Sequence, residues 1–392
     1  MQAIILAAGK GTRFEPLSLT KPKPLFSVFG ESILEHNLKQ LKGLVKEVII
    51  IVNYKRELIE KLIGKEFEGI KITYIFQKDL DGTGGGIKLA ESLIKDKFLL
   101  LNGDDFYFKE DVEQALKRFP CVLVEENKNP SNFGVIIEEE GFVRSIIEKP
   151  ENPLSNLVNT GLYFLPKSIL NKEIQKSERG EYEFTDFIKS FIKNNRLYSV
   201  KAKNWFPASY PWDIFNALDF FFSKKKKSLK IKKEKNVIIK DKLIVGQGTL
   251  IKSGAYIEGP AYIGNNCIIG PNCFIRANTI IGNNCKIGQA VEIKNSIIGN
   301  NVNINHLSYI GDSIIGDNCN LGAGTIIANL KHNGETIETM VNEKMIDTKR
   351  NKFGTIVGDN SKTGIGTLIY PGRKIWPGKN TLPGEKIKED LK

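Results

Sequence analysis

From Ile239 to Ile293 an aliphatic residue recurs at every sixth position without a break, and four places after each one stands a residue that is usually small. The aliphatic series is Ile239, Val245, Ile251, Ile257, Ile263, Ile269, Ile275, Ile281, Ile287 and Ile293; the small one is Thr249, Ala255, Ala261, Cys267, Cys273, Thr279, Cys285 and Val291. Turn formers fill the gaps, as in Ile263-Gly264-Asn265-Asn266 and Ile281-Gly282-Asn283-Asn284. A period of six fits neither an amphipathic helix nor an ordinary strand. It marks a hexapeptide solenoid, a parallel β-helix. In the left-handed form of that fold the aliphatic residue points into the core of each flat side of a triangular coil and the small residue sits by the corner. The phase returns at Ile298, Ile304 and Ile310, at Ile315, Leu321 and Ile327, and at Val357, Thr363, Ile369, Ile375 and Thr381. At Arg373, Lys379 and Glu385 the small-residue rule fails, which predicts the polar cap that a solenoid needs at its end.

Upstream the pattern changes. A buried strand, Gln2 to Ala8, runs into Gly9-Lys10-Gly11-Thr12-Arg13. Helix-period and strand-period stretches then alternate: helix from Ser32 to Val45, strand from Glu47 to Asn53, helix from Arg56 to Gly64, strand from Ile70 to Gln77, helix from Gly84 to Ile94, strand from Phe98 to Gly103. This alternation implies a mostly parallel, Rossmann-like α/β sheet with helices on both faces and ligands at the carboxyl ends of its strands. Further on lie a strand from Cys121 to Glu125, a hairpin from Gly134 to Glu148, a strand from Gly161 to Leu165, a helix from Thr185 to Asn194 and a last helix starting near Trp212. The expected domains are 1–225, a basic linker 226–238, and the β-helix 239–392 with an irregular insertion at 330–353.

Length and composition agree with two domains, since 392 residues exceed one ordinary core. The hydrophobic fraction of 41% and the charged fraction of 26% are those of a soluble globular protein. No apolar run approaches the ~20 residues of a membrane span, and the N-terminus enters a strand with no cationic leader, so the expected location is the cytoplasm. The net charge of +12 raises the question of nucleic acid. Its densest run, Lys224 to Lys227 with Lys230, Lys232, Lys233 and Lys235, has no interleaved aromatic residues and reads as a solvated linker. Basic surface also suits small anionic substrates. Four of the five cysteines (Cys267, Cys273, Cys285, Cys319) fill the solenoid's small-residue slot and read as apolar fillers, not disulfides or metal ligands.

The first chemistry is in the N-terminal loop. Gly9-Lys10-Gly11-Thr12-Arg13 is not a Walker A loop, and Phe14 stands where a dinucleotide fingerprint needs its third glycine. The loop carries Arg13, however, and Lys23 follows in Lys21-Pro22-Lys23-Pro24, where the prolines restrain the backbone. Glycines let N–H groups approach phosphate oxygens, and the cations neutralise a triphosphate.

The run Leu6-Ala7-Ala8-Gly9-Lys10-Gly11-Thr12-Arg13, with Pro16-Leu17 and Pro22-Lys23-Pro24, resembles the signature of sugar-1-phosphate nucleotidylyltransferases. Gln77 with Gly82-Thr83-Gly84, Gly103-Asp104, Gly134-Val135, Glu148-Lys149-Pro150 and Asn159-Thr160-Gly161 line up with the family in order. Joined to a left-handed β-helix, the whole is similar to the bifunctional N-acetylglucosamine-1-phosphate uridylyltransferase/glucosamine-1-phosphate N-acetyltransferase family, especially its archaeal form. The resemblance implies attack of a sugar phosphate on the α-phosphorus of UTP or dTTP, a reaction that depends on positioning and charge neutralisation. It assigns Arg13 and Lys23 to catalysis, Ala8, Gly9, Gly11, Thr12, Gln77, Gly82 and Thr83 to the nucleotide, and Gly134, Glu148, Asn159 and Thr160 to the sugar phosphate. Asp104 would hold Mg²⁺, with Asp105 as a helper.

One position departs from the family. A second metal carboxylate commonly precedes a Pro-Trp-Asp-like segment, within Trp-x-Asp-x-Gly; here the stretch is Trp205-Phe206-Pro207-Ala208-Ser209-Tyr210-Pro211-Trp212-Asp213, with Pro207 at that place. Proline cannot ligate a metal, and Asp213 reads as a helix cap.

In the solenoid, His306-Leu307-Ser308-Tyr309-Ile310-Gly311-Asp312 and Leu321-Gly322-Ala323-Gly324-Thr325 with Asn329 match the acetyltransferase half. By resemblance His306 is the general base that takes a proton from the sugar amine as it attacks acetyl-CoA, work for which a pKa of ~6.5 is suited. By the same resemblance Arg276 and Lys294 match phosphate-binding positions, Tyr309, Asn320 and Asn329 match amino-sugar contacts, and the Ala323 N–H would face the thioester oxygen. A homotrimer is implied, with coenzyme A between neighbouring β-helices; Lys331, His332, Lys349, Arg350 and Lys352 of the insertion either meet its phosphates or form a solvated loop. The expected protein is therefore a two-domain enzyme that acetylates glucosamine-1-phosphate, or an epimer, and then activates it, binding no nucleic acid and no membrane. Two other readings stand beside it: a glucose-1-phosphate nucleotidylyltransferase with a purely oligomerising β-helix, and a non-catalytic nucleotide-sugar sensor.

Overall fold

The computed structural model describes residues 1–392. The chain forms two compact units: Met1–Lys10, Pro22–Leu25 and Ser32–Ala208 make the first, and Gly11–Lys21, Phe26–Glu31 and Ser209–Lys392 the second. No helix is long and apolar enough to cross a membrane.

The first unit is built on strands β1 (Gln2–Ala7), β2 (Glu47–Val52), β3 (Glu66–Phe67), β4 (Ile70–Phe76), β5 (Lys97–Asn102), β6 (Cys121–Glu126), β7 (Gly134–Glu139), β8 (Phe142–Glu148), β9 (Leu157–Pro166) and β10 (Tyr198–Lys201). They form one ten-stranded sheet in the order β3-β4-β2-β1-β5-β9-β6-β10-β8-β7. β4, β2, β1 and β5 run parallel. From β9 onward most pairings are antiparallel, because the hairpin and the long β9 return without crossover helices. The sheet is thus mixed, with its continuous parallel part in the N-terminal half and one further parallel pairing, of β10 with β6. Alternate residues of β1 are buried on both faces: Ala3, Ile5 and Ala7 in one core, Ile4 in the other. That double burial is why the strand is an unbroken apolar run.

Helix α1 (Ile33–Leu41) starts from a capping box in which the Glu35 N–H donates to Ser32 Oγ and the Ser32 N–H to the Glu35 carboxylate. α2 (Arg56–Ile63), α3 (Thr83–Leu89), α4 (Lys109–Leu116) and α5 (Phe184–Ile192) follow. The sequence pattern misses α4 and β10, and the helix expected near Trp212 is a 3₁₀ stretch, Pro211–Ala217, continued by a short α6 (Leu218–Lys224).

The second unit is the solenoid, a left-handed parallel β-helix of three stacked sheets with seven, eight and seven strands. Ile251 pairs with Ile269 and Ile269 with Ile287, so one coil is eighteen residues, three hexapeptides. The aliphatic positions from Ile251 to Ile327 are buried, and the four solenoid cysteines, Cys267, Cys273, Cys285 and Cys319, are free and buried as fillers. Replacing Ile269, with 0% exposure, by alanine is expected to cost about 2–5 kcal/mol, against about 0.5–1.5 for valine. Denaturation midpoints for the two variants check the graded loss.

Asparagine holds the corners in the left-handed region, as at Asn266, Asn284, Asn301, Asn318 and Asn360. Beside them runs a ladder in which each side-chain Oδ1 accepts the backbone N–H one coil below. Gln247 donates to Asn265, Asn265 to Asn283, Asn283 to Asn300, Asn300 to Asp317 and Asp317 to Asp359, all at 2.7–2.8 Å. Within 226–238, the stretch expected as a linker, Lys232–Lys233 already pairs with Leu250–Ile251, and Ile238–Lys240 with Tyr256–Glu258. The insertion carries an antiparallel hairpin, Glu338–Val341 with Lys344–Asp347, after which Leu321 pairs with Thr363 in unbroken register.

Candidate active sites

In the first unit the parallel strands end together. The Gly103 N–H donates to the Leu6 carbonyl at 2.8 Å, and a Cβ on Gly103 would lie 2.7 Å from that oxygen, so only glycine lets β5 close on β1 here. The close approach places Asp104 beside the end of β1. Lys23, 6% exposed, donates from Nζ to Asp104 Oδ2 at 2.5 Å. Asp105 is buried, accepts the Ala208 N–H at 3.1 Å, and has its carboxyl pushed up by burial and by Asp104 beside it. Phe106 and Phe206 exchange backbone hydrogen bonds, an antiparallel bridge that sets Asp105 opposite Pro207. Asp111 holds this segment in place by accepting the Lys203 and Asn204 N–H groups. Sequence reasoning gave Asp111 no role, and nothing short-range marks it.

Gln77, at the end of β4, is buried and donates from Nε2 to Asp81 Oδ1 and to the Gly82 carbonyl, both at 2.9 Å. Gly82 has φ +105° and faces the Tyr182 backbone, where a Cβ would meet the carbonyl at 2.5 Å. Thr83 Oγ1 accepts the Phe184 N–H at 3.1 Å. An open cleft of about 440 Å³ next to these residues is lined by Lys10, Asn53, Asp81 and Lys176 among others. Asn53 and Lys176 are further candidates that the motif search passed over. Ala8 is buried and Gly9 exposed at the end of β1.

The sugar-phosphate candidates separate. Gly134, Glu148 and Asn159 lie together: a Cβ on Gly134 would stand 3.2 Å from Glu148 Oε2 and 3.5 Å from Asn159 Nδ2. Arg179, not singled out from sequence, reaches Glu183 at 2.5 Å and Glu148 at 3.8 Å. Burial pushes the Glu148 carboxyl up. Thr160 points away: its hydroxyl donates to the Leu123 carbonyl at 3.0 Å and its own carbonyl accepts Tyr107 Oη. Its side chain is a core group.

Gly11, Thr12 and Arg13 belong to the second unit. Gly11, with φ +66°, opens the single turn Thr12–Phe14. The Arg13 guanidinium lies over the Tyr210 ring at 5.6 Å, and Tyr210 stacks on Trp212. The Asp213 carboxylate accepts the Tyr210 N–H at 2.7 Å, the capping role expected of it.

In the solenoid, Asp312 is the centre of a polar cluster. It is 3% exposed and accepts from Asn295 Nδ2 at 2.6 Å and from Asn329 Nδ2, with Lys294 Nζ 3.8 Å away. Asn329 also donates to Tyr309 Oη at 3.3 Å. Burial first, then the Asp312 charge, push the Tyr309 hydroxyl up. A Cβ on Gly311 would fall 2.6 Å from Tyr309 Oη and 2.7 Å from Asn329 Nδ2, so glycine at this position is a condition of the cluster. Arg276 pairs with Glu292 at 3.0 Å.

His306 ends the strand Asn303–His306, one corner before Tyr309; its ring is exposed and makes no hydrogen bond or ion pair within the chain. Leu307 turns that corner with φ +48°. Asn320 pairs in register with Asn303 on the His306 face, away from the strand carrying Tyr309, and Ala323 follows it. In the insertion, Arg350 lies over the Phe215 ring at 5.0 Å and donates to Asn216, and Lys349 pairs with Asp347. His332 and Lys352 are exposed.

A nucleotidyl transferase family model matches residues 2–217, and the C-terminal domain model of GMPPB matches 257–380. The Bifunctional protein GlmU of Methanocaldococcus jannaschii is 40% identical over 100% of this chain and 96% of its own length. The chain belongs to the GlmU-type bifunctional family. A bifunctional sugar-1-phosphate nucleotidylyltransferase/acetyltransferase of Sulfurisphaera tokodaii is 37% identical over 100% of the chain and 98% of its own. A solved UDP-glucose pyrophosphorylase in complex with UDP-glucose, 22% identical, superposes with a TM-score of 0.52 over 57% of this chain and 99% of that one, which shows the fold of the first part. GlmU-type matches that span both units favour the bifunctional enzyme over an oligomerising solenoid or a non-catalytic sensor.

Proposed function

We propose that the chain acetylates glucosamine-1-phosphate, or an epimer, at the solenoid cluster and couples the product to a uridylyl or deoxythymidylyl group in the first unit. The observation that carries this reading is the buried Asp312 with Lys294, Asn329 and Tyr309, one corner from an unpaired His306. A solenoid that only oligomerised would need no buried carboxylate there. In acetyl transfer the amine nitrogen attacks the thioester carbon, His306 takes the proton, and the carbon–sulfur bond breaks to release coenzyme A. Lys294 and Arg276 face the sugar phosphate, Tyr309 and Asn329 hold the hydroxyls, and Asp312 fixes Asn329 and Lys294. Asn320 and the Ala323 N–H serve the thioester side. Coenzyme A bound between copies of a homotrimer fits the exposed position of His306.

In nucleotidyl transfer a phosphate oxygen of the sugar attacks the α-phosphorus and pyrophosphate leaves. Lys23, Arg13 and the N–H groups of Gly9, Gly11 and Thr12 neutralise the triphosphate, Gln77, Gly82 and Thr83 hold the base, and Glu148, Asn159 and the backbone at Gly134 hold the sugar. The donor set suits Mg²⁺, which binds through one or two carboxylates plus substrate phosphates. Asp104 would hold it, with Asp105 buried behind, and it would supply charge neutralisation. Pro207 offers no donor.

The test is pyrophosphate release from UTP and N-acetylglucosamine-1-phosphate, native chain against Pro207→Asp. The expected result is native turnover that stops when a chelator removes Mg²⁺. Turnover seen only in Pro207→Asp would confine the natural activity to acetyl transfer.

A further inference from the structure

In the corner ladder only Oδ1 is used, so asparagine suffices, as at Asn265, Asn283 and Asn300. At the next two rungs the chain has Asp317 and Asp359 instead. Their second oxygens converge on one segment. Lys21 Nζ pairs with Asp317 Oδ2 and lies 3.4 Å from Asp359 Oδ2, and Thr20 Oγ1 donates to Asp359 Oδ2 at 2.6 Å. The contact is largely dry, with the Lys21 and Asp359 side chains 19% and 7% exposed. Burial alone would lower the Lys21 pKa, but the two carboxylates outweigh it and hold the ammonium above its ordinary value.

Lys21 therefore has its charge committed twice over and is not a free cation for a triphosphate. A second anchor acts on the same segment: Lys374, 1% exposed, donates to the Glu15 carbonyl at 3.0 Å and to the Met340 carbonyl at 2.6 Å. A third, internal one joins Ser18 Oγ to the Gly11 carbonyl at 2.8 Å. Residues 11–21 are thus seated on the upper coils and the insertion hairpin, which is why they belong to the second unit.

We propose that Lys21, Asp317 and Asp359 are positioning residues for nucleotidyl transfer: their clamp holds the segment that carries Arg13 and that runs in sequence into Lys23, so the first activity depends on rungs of the solenoid. The proposal rests on the assignment of Arg13 and Lys23 to the triphosphate. The aspartates replace asparagine because the ladder needs one oxygen and the clamp needs the other.

The experiment uses the full chain, with Lys21→Met and with Asp317→Asn/Asp359→Asn, which keeps every ladder acceptor. Hydrogen exchange of the Gly11–Lys21 amides is expected to accelerate roughly tenfold or more in both, with the lower rungs unchanged. kcat for pyrophosphate release falls roughly tenfold to a hundredfold, since small misplacements of positioned groups are costly, while acetyl transfer holds. Lys21→Arg recovers most of the loss, and combining Lys21→Met with the double substitution adds little to either. Unchanged exchange overturns the clamp. Faster exchange with unchanged kcat overturns its catalytic role. If Lys23→Met keeps full turnover, the triphosphate assignment fails and the exchange rates alone decide the clamp.

Discussion

His306→Ala lowers acetyl transfer by roughly 10² to 10⁴, the range that a positioned general base contributes, and leaves pyrophosphate release from UTP unchanged. The imidazole is exposed and has no partner in the chain, so its removal strands no buried group and opens no cavity. Folding is therefore not the route of the loss. The neighbouring Asp312 cluster stays intact, since none of its hydrogen bonds passes through His306. The sugar should still bind, and the defect should sit in kcat more than in KM for glucosamine-1-phosphate. Release of the coenzyme A thiol, followed beside pyrophosphate release on one preparation, checks both halves. Retained acetyl transfer would remove His306 from the reaction.

Lys23→Met has the opposite profile: nucleotidyl transfer drops roughly 10²- to 10³-fold, as when a preorganised charge on the reacting group is lost, and acetyl transfer persists. The ammonium is buried on Asp104, which is itself 40% exposed. Solvent therefore takes up part of the unpaired carboxylate's charge, and the stability cost stays well below that of breaking a fully buried pair. Methionine preserves the packing of the alkyl chain, which leaves the charge as the variable. Equal loss of both activities would mean that Lys23 supports the fold and not the chemistry.

How much of this was legible beforehand divides by range. The rungs Ile251, Ile269 and Ile287 could be read because each hexapeptide repeats the same local rule, and the parallel half of the sheet because buried strands are continuous apolar runs. Gly103-Asp104 and Gly134 were legible as motifs, and their close approaches explain the glycines. Thr160 was read as a sugar ligand, yet β9 turns its side chain into the core, an orientation that no motif encodes. The seating of residues 11–21 on Asp317, Asp359 and Lys374 joins positions hundreds of residues apart and leaves no periodic trace. Asp312 and Asn295 did leave a signal. Ile293 to Ile298 and Ile310 to Ile315 are spaced by five instead of six, and the missing residue falls at the corners that carry Lys294, Asn295 and Asp312.

Those corners are where the solenoid departs from its own rule. Asn295 and Asp312 take the left-handed turn one residue early, and in the next coil the corresponding corner opens into the insertion. A sequence drawn toward the average of its own repeats would restore the sixth residue and gain a more regular, sturdier stack. It would also be expected to move Asp312 away from Asn329 and Lys294. Stability and catalysis therefore pull against each other at one edge of an otherwise cooperative prism, and optimisation for heat resistance should leave that edge alone.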